Sequence, residues 1–160
     1  MATVFELPGI SALQAFVHAA VEVLLEDEGF EPSNFELSEW LGSPNPDDEL
    51  EPIFARFEPT DEPYLRRQIY RATVRSLSDE APMLLGRDPS APLPIVSAQR
   101  LGMLYEGELP PERQFLSCTA PLLSRDGRRG TLEIQRGHVG GAEDYRVTLR
   151  RVGECWERVP

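Results

Sequence analysis

Apolar residues recur at helical spacing in the first part of the chain and alternate with polar residues in the last part. Residues 9–28 carry the strongest helical pattern, and Gly29 follows them as a plausible helix stop. The apolar face of this predicted helix consists of Leu13, Val17, Ala20, Val21 and Leu24. A narrow polar ridge is formed by Gln14, His18, Glu22 and Glu26. Because most of the circumference is apolar, we expect this helix to be largely buried.

Two further helices and one short strand are predicted before the spacing of the apolar residues changes from helical to alternating. The second predicted helix of the chain covers residues 33–41, with apolar side chains at Phe35, Leu37, Trp40 and Leu41. The third predicted helix covers residues 62–77 and is capped by Thr60 or Asp61. Its inward face consists of Leu65, Ile69, Ala72 and Ser76. Residues 53–57 are predicted as a short strand.

The C-terminal half has the period of β-structure. Predicted strands cover residues 114–123, 131–136, 145–151 and 155–159. Turn signals separate them at Asp126-Gly127, Gly137–Gly141 and Gly153-Glu154. Helices followed by a strand meander indicate an α+β fold, in which N-terminal helices pack on a curled antiparallel sheet formed mainly by the C-terminal half.

One domain over residues 1–160 is expected from this order of elements and from the chain length. Helices occupy residues 1–80, a proline-rich connection occupies residues 81–95, and the strand meander occupies residues 110–160. Met83, Leu84 and Leu85 are expected to pack the connection onto the rest of the domain.

The C-terminal meander resembles the strand meander of small bacterial NTF2-like or cystatin-like proteins. The matching features are the Ser124–Gly127 hairpin, the glycines at 140 and 141, the run from Tyr145 to Leu149, and Gly153 followed by Trp156 and Val159. The resemblance implies a sheet that curls around a long N-terminal helix, a place that residues 9–28 fill. Its members include enzymes, ligand-binding proteins and immunity proteins, so the fold alone does not select a function.

Charge is distributed unevenly along the chain. The net charge is −11, and residues 1–62 contain fifteen acids and a single base, Arg56. Residues 63–160 contain twelve acids and fifteen arginines, and the chain has no lysine. A strongly acidic face repels nucleic acid and attracts basic proteins. The charge pattern therefore disfavours nucleic-acid binding through this face and favours a basic protein partner.

The acidic clusters suggest an immunity protein or other inhibitor that masks a basic partner such as a toxin. The carboxylates expected to carry this contact are Glu26, Asp27, Glu28, Asp47, Asp48 and Glu49. Trp40 lies between the two clusters and is a candidate anchor, although a tryptophan in this pattern is more often a core residue. Two other functions stay open: a small-molecule-binding protein or enzyme with an NTF2-like cavity, and an adaptor or chaperone for a secreted effector that exposes an apolar groove.

A row of arginines at Arg67, Arg71 and Arg75 is the strongest local peculiarity of the predicted third helix. Like charges at this spacing repel each other by a few tenths of a kcal/mol per pair. One interpretation is a binding site for an anion or an acidic partner, because arginine forks grip carboxylate and phosphate. The more common interpretation is pairing with the acidic first third of the chain.

No motif for catalysis, metal binding or cofactor binding is present, so we expect no enzymatic activity, metal or cofactor. A Gly-x-Ser-x-Gly elbow and a lysine-containing phosphate loop are both absent. The best catalytic candidates are His138, Glu143 and Asp144, which are more often solvated loop residues. His18 is a further candidate if it faces a cavity.

Cellular location is predicted from the N-terminus and the cysteines. The first residues lack the positive region of a signal peptide and include Glu6. His18 and Glu22 interrupt the longest apolar stretch, so no membrane span is expected. Cys118 and Cys155 are interpreted as two buried free thiols in a reducing compartment. These features predict a cytoplasmic protein.

Overall fold

A computed structural model describes residues 6–44, 50–77, 84–86, 90–97, 113–138 and 141–159. Within these ranges the α-helices are α1 (Ile10–Glu28), α2 (Leu50–Phe54) and α3 (Glu62–Ser76). The strands are β1 (Phe35–Gly42), β2 (Ile95–Val96), β3 (Gln114–Thr119), β4 (Leu122–Leu123), β5 (Arg129–His138), β6 (Gly141–Val152) and β7 (Cys155–Arg158). Helices lie mainly in the N-terminal half and strands mainly in the C-terminal half, which confirms the predicted α+β class.

The strands form one open, mixed sheet in the order β2-β1-β3-β5-β6-β7, with β4 paired to β5. Strands β3, β5, β6 and β7 pair antiparallel, as the meander pattern predicts. The prediction of a purely antiparallel sheet is wrong at one side, because β1 runs parallel to both β2 and β3. Parallel pairing needs partners that are distant in sequence, and local periodicity does not reveal such partners.

The predicted helix over residues 33–41 is wrong, because this segment forms β1 after a short 3-10 turn at Pro32–Asn34. Leu37 pairs with Ile95 on one side and with Leu116 on the other, so β1 lies inside the sheet. Both faces of its first half are buried, including the polar Glu36 and Ser38. A strand buried on both faces lacks the alternation by which strands are recognised in a sequence.

The predicted strand over residues 53–57 is also wrong, because residues 50–54 form the helix α2. Leu50, Ile53 and Phe57 are spaced by three and four residues and are all buried. They pack with Leu65 of α3 and Leu122 of β4 in a small apolar cluster. The helical spacing becomes visible only when Leu50 is included in the pattern.

Helix α1 confirms the predicted first helix and packs against the sheet. Its predicted apolar face is buried, and Gly29 ends it in the left-handed conformation, with φ of 64°. Phe16 is fully buried and meets the Trp156 ring edge-on at 5.0 Å. A Cβ at position 130 would collide with the Phe16 ring, so Gly130 permits close contact between helix and sheet.

Helix α3 confirms the predicted third helix and is fixed to β4 by a buried glutamine. The Gln68 side chain donates from Nε2 to the Leu123 carbonyl at 2.7 Å and accepts from the Leu123 amide at 3.0 Å. Leu65 and Ala72 of the predicted inward face are buried, and Ile69 is half-buried. This amide pair sets the position of α3 against the sheet.

Candidate functional site

The C-terminal end of α1 carries exposed carboxylates at the helix end where negative charge is least favourable. Glu26, Asp27 and Glu28 occupy the last turn, and this turn contains no basic residue. The negative end of the helix dipole disfavours each of these charges by about 0.3–1 kcal/mol. Asp27 forms an ion pair with Arg158 of β7, which compensates one of the three charges.

The other two carboxylates are not compensated. Among the described residues, no cation forms an ion pair with Glu26 or Glu28, and both side chains are exposed. Glu22 is exposed one turn before Glu26 and repels it at i, i+4 spacing. We call Glu22, Glu26 and Glu28 the acidic patch. Within the described part of the chain, no ion pair offsets the unfavourable position of these charges.

The structure does not bring Trp40 next to the acidic patch. Phe30, directly after α1, stacks on Phe35 at the start of β1, with ring centroids 5.2 Å apart. Trp40 lies five residues beyond Phe35 along β1, which corresponds to roughly 16 Å between these two residues. The expected core position of Trp40 is wrong: the residue is 45% exposed, because Leu41 beside it takes the buried position. The second predicted acidic cluster, Asp47, Asp48 and Glu49, lies outside the described residues.

The proline-rich connection is described only in part. Leu85 is buried and its amide donates to the Glu39 carbonyl, which agrees with the expected packing of this segment. Leu84 forms an isolated bridge with Trp40 and is 40% exposed, so it does not join the core. Met83 lies outside the described residues.

The arginine row of α3 turns from solvent towards the protein along the helix. Arg67 is exposed, whereas Arg71 and Arg75 are half-buried, because residues four apart advance by about 40° around an α-helix. Among the described residues, no carboxylate forms an ion pair with Arg71 or Arg75. The expected pairing with the acidic first third of the chain is therefore not observed for these two residues.

Beside this row, α3 exposes an apolar stripe. Tyr70 is 73% exposed, Val74 is 49% exposed and Leu77, at the helix C-cap, is 81% exposed. Their i, i+4, i+7 spacing places them along one line of the helix surface. Arg66 lies next to this line and is held by Glu62 at 2.9 Å. Exposed apolar residues grouped in this way are typical of contact surfaces.

The two candidate catalytic carboxylates do not converge. Glu143 and Asp144 are consecutive residues of β6, so their side chains leave opposite faces of the sheet. Glu143 accepts from the Tyr145 hydroxyl at 2.6 Å and from Arg136 at 3.2 Å. The hydrogen bond to Glu143 raises the pKa of Tyr145, and burial adds to the effect. His138 ends β5, and its register partner is Gly141 of β6.

The space between α1 and the sheet is filled with side chains. Phe16, Val17 and Leu24 of α1 are buried against Ile134 and Leu149 in the main core. Two shallow apolar depressions near this core measure about 10 and 20 Å³, which is room for a single water molecule. His18 is half-buried on α1 and faces no ligand-sized cavity among the described residues. The interface gives the cavity hypothesis no support.

The two cysteines cannot form a disulfide with each other. Cys118 in β3 and Cys155 in β7 are separated by β5 and β6, which places them about 14 Å apart in the sheet. Both are free thiols, but the expected burial is wrong for Cys155, which is exposed near the turn that joins β6 and β7, whereas Cys118 is buried inside the sheet. Burial raises the pKa of the Cys118 thiol to about 12. Within the described ranges no three His, Cys, Asp or Glu side chains are grouped to hold a metal ion.

An arginine cluster that the sequence patterns did not predict lies at one end of the sheet. Strand β5 begins and strand β6 ends there, and their register pairs Arg129 with Arg150. Arg128 and Arg151 are adjacent to this pair, joined by a hydrogen bond from the Arg151 amide to the Arg128 carbonyl at 2.6 Å. Two Arg-Arg dipeptides at equal distances from the β5–β6 turn are the signal that identifies this cluster once the register is known.

Comparison with protein-family models, curated proteins and solved structures gives no match to this chain. In the part of the chain that the structure describes, no helix is both long and apolar enough to cross a membrane. Functional inference therefore rests on the surfaces described above.

Proposed function

We propose that this chain is a non-enzymatic, cytoplasmic protein-binding module whose acidic patch binds a basic partner. Its most concrete form is an immunity protein or inhibitor that masks a toxin. The observation that carries the proposal is the pair of exposed carboxylates, Glu26 and Glu28, at the unfavourable end of α1, with which no cation of the described ranges forms an ion pair. Carboxylates in this position lower the stability of the helix and increase the rate at which a basic protein associates.

Two other features support the proposal. Helix α1 lies against β5, β6 and β7, which is the arrangement that the NTF2-like resemblance implies, and that group includes immunity proteins. The free thiols of Cys118 and Cys155 are typical of a reducing compartment such as the cytoplasm.

Charge reversal at the helix end tests the proposal in two independent ways. Glu26→Lys combined with Glu28→Lys should raise the free energy of unfolding by about 1 kcal/mol, since cations suit the C-terminal end of a helix. The same variant should slow association with the partner and flatten its salt dependence. A matched control, Glu6→Lys with Glu154→Lys, changes the net charge equally at exposed positions outside any helix.

The partner is identified by capture from native lysate at low and moderate salt, followed by mass spectrometry. The proposal expects the wild type and the control variant to retain one stoichiometric basic protein that is released as salt rises. The helix-end variant should lose it while remaining folded by circular dichroism. Retention of that protein by the helix-end variant would exclude the acidic patch as the contact surface.

A second candidate function, an adaptor or chaperone, is favoured by the apolar stripe of α3. Tyr70, Val74 and Leu77 are exposed beside Arg71 and Arg75, whose charges no described carboxylate neutralises. Such a surface suits an acidic partner segment with apolar side chains at helical spacing. Tyr70→Ser with Val74→Ser should abolish capture of such a segment and leave the basic partner of the acidic patch unaffected. Loss of both partners would mean that the variant is misfolded or that the surfaces are not separate.

A further inference from the structure

The end of the sheet near the β4–β5 and β6–β7 turns forms a depression of about 330 Å³. Asp126, Arg128, Arg151 and Gly153 line it, and we call it the arginine cleft. Its volume lies at the lower end of the range typical of small-molecule sites, about 300–1,000 Å³. It is more than ten times larger than the apolar depressions near the core, about 10 and 20 Å³.

Four arginines meet at this edge, and two of them form ion pairs with carboxylates of the described residues. Arg129 lies 3.7 Å from Glu58, and Arg150 lies 3.7 Å from Glu157. Arg128 and Arg151 line the cleft instead. Among the described residues neither forms an ion pair, and the only bond found for the Arg151 guanidinium is to the Gly153 carbonyl at 3.2 Å. Two guanidinium groups therefore line the cleft, and within the described ranges their partners are limited to the Gly153 carbonyl and the charge of the nearby Asp126 carboxylate.

The opposite wall of the cleft is a fixed turn. Asp126 Oδ1 accepts from the Ser124 hydroxyl at 2.7 Å and from the Arg128 amide at 3.0 Å. The Ser124 hydrogen bond and then the Arg128 amide lower the pKa of Asp126, so its carboxylate is ionised at neutral pH. Its second oxygen is available to accept a hydrogen bond from a ligand hydroxyl, and its charge disfavours a second anionic group there.

We propose that the arginine cleft binds a small phosphate monoester that carries hydroxyl groups. Two arginine forks offer more donors than one carboxylate can accept, and they match the three oxygens and the nearly double charge of a phosphate group. The volume beyond the phosphate accommodates the organic part, whose hydroxyls reach Asp126. The site is separate from the acidic patch and does not depend on the function proposed for that patch.

Amide NMR chemical shifts test the proposal, with glycerol 3-phosphate and inorganic phosphate as probes and sodium chloride at matched ionic strength as the reference. Gly127 and Gly153 are the reporters, because both belong to the turns around the cleft. The wild type should give saturable shifts with either probe, tighter for glycerol 3-phosphate. Arg128→Gln with Arg151→Gln should weaken binding by at least about tenfold, because it removes both charge-assisted forks.

The chain itself supplies a matched control. Arg129→Gln with Arg150→Gln removes the same charge from the two ion-paired arginines that do not line the cleft, and it should change the dissociation constant less than about twofold. Equal weakening by the two double variants would show that only the overall charge matters, and it would overturn the site. Shifts that stay linear and do not saturate would overturn it as well. Arg128→Gln alone, in which Arg151 keeps its bond to Gly153, should still weaken binding and guards against a folding defect in the double variant.

Discussion

The buried amide of Gln68 provides a direct test of how α3 is held to the sheet. Gln68 is 7% exposed, and both of its side-chain hydrogen bonds go to the backbone of Leu123. Gln68→Leu keeps the approximate volume of the side chain and removes the donor and the acceptor together. The Leu123 amide and carbonyl are then left buried without partners.

The expected loss of stability follows from the Leu123 amide and carbonyl, which lose their hydrogen-bond partners. Each buried backbone group without a partner costs about 1–3 kcal/mol, and burial of the added apolar surface returns about 1–2 kcal/mol. We expect the free energy of unfolding to fall by about 3 kcal/mol. Since single domains have a total stability of about 5–15 kcal/mol, this change is easily measured.

Urea unfolding followed by circular dichroism measures the change, and hydrogen exchange locates it. The Leu123 amide should lose protection more than the amides of β5 and β6, because the broken contact is local. Gln135→Leu is the control, since Gln135 is exposed and its bond to Asp144 is 3.4 Å long. If the two variants lose equal stability, or if Leu123 stays protected, the amide pair is not what fixes α3.

Three further predictions concern a close contact, a thiol and a carboxylate. Gly130→Ala should destabilise the protein by about 1–3 kcal/mol in urea unfolding, whereas Gly42→Ala, where a Cβ meets open space, should change it by less than about 0.5 kcal/mol. A thiol reagent at pH 8 should modify Cys155 rapidly and Cys118 only on unfolding, since burial raises the Cys118 pKa to about 12; mass spectrometry after timed quenching checks this. The pKa of Asp126 is lowered in the folded state, so its ionised carboxylate stabilises the fold at pH above the unfolded pKa of about 3.9, and this stabilisation is lost as the pH falls through the folded pKa. The difference in unfolding free energy between wild type and Asp126→Asn, measured by urea unfolding, should therefore shrink on acidification. A difference that does not depend on pH would contradict this.

Sequence patterns predict those elements whose buried face follows from the spacing of their own residues. Helix α1 is one case, because its buried face repeats at helical spacing and Gly29 supplies its stop. Strand β1 is the opposite case, since Leu37 is held by Ile95 and Leu116, which lie far along the chain. Its polar Glu36 and Ser38 are buried by tertiary packing, which no local pattern contains.

The candidate sites divide in the same way. The acidic patch is visible in the sequence because its members are neighbours on one helix end. The arginine cleft is not visible, because Arg128 and Arg151 lie 23 positions apart and meet only through the β5–β6 register. Predicted strands at 131–136 and 145–151 place these residues near one end of a hairpin, but a register shift of one residue would separate the two arginines onto opposite faces.

The acidic patch and the arginine cleft are built from different elements, so their substitutions should act independently. The patch lies on the last turns of α1, whereas the cleft is lined by residues of the β4–β5 and β6–β7 turns and their flanks. Among the described residues, Glu26 and Glu28 share no ion-pair or hydrogen-bond partner with Arg128 and Arg151. Lysine substitutions at Glu26 and Glu28 should therefore leave phosphate binding unchanged, and a variant combining them with the Arg128 and Arg151 substitutions should show additive stability changes within about 0.5 kcal/mol. A larger deviation would mean that a structural change passes between α1 and the β6–β7 hairpin, which are linked by the ion pair of Asp27 with Arg158.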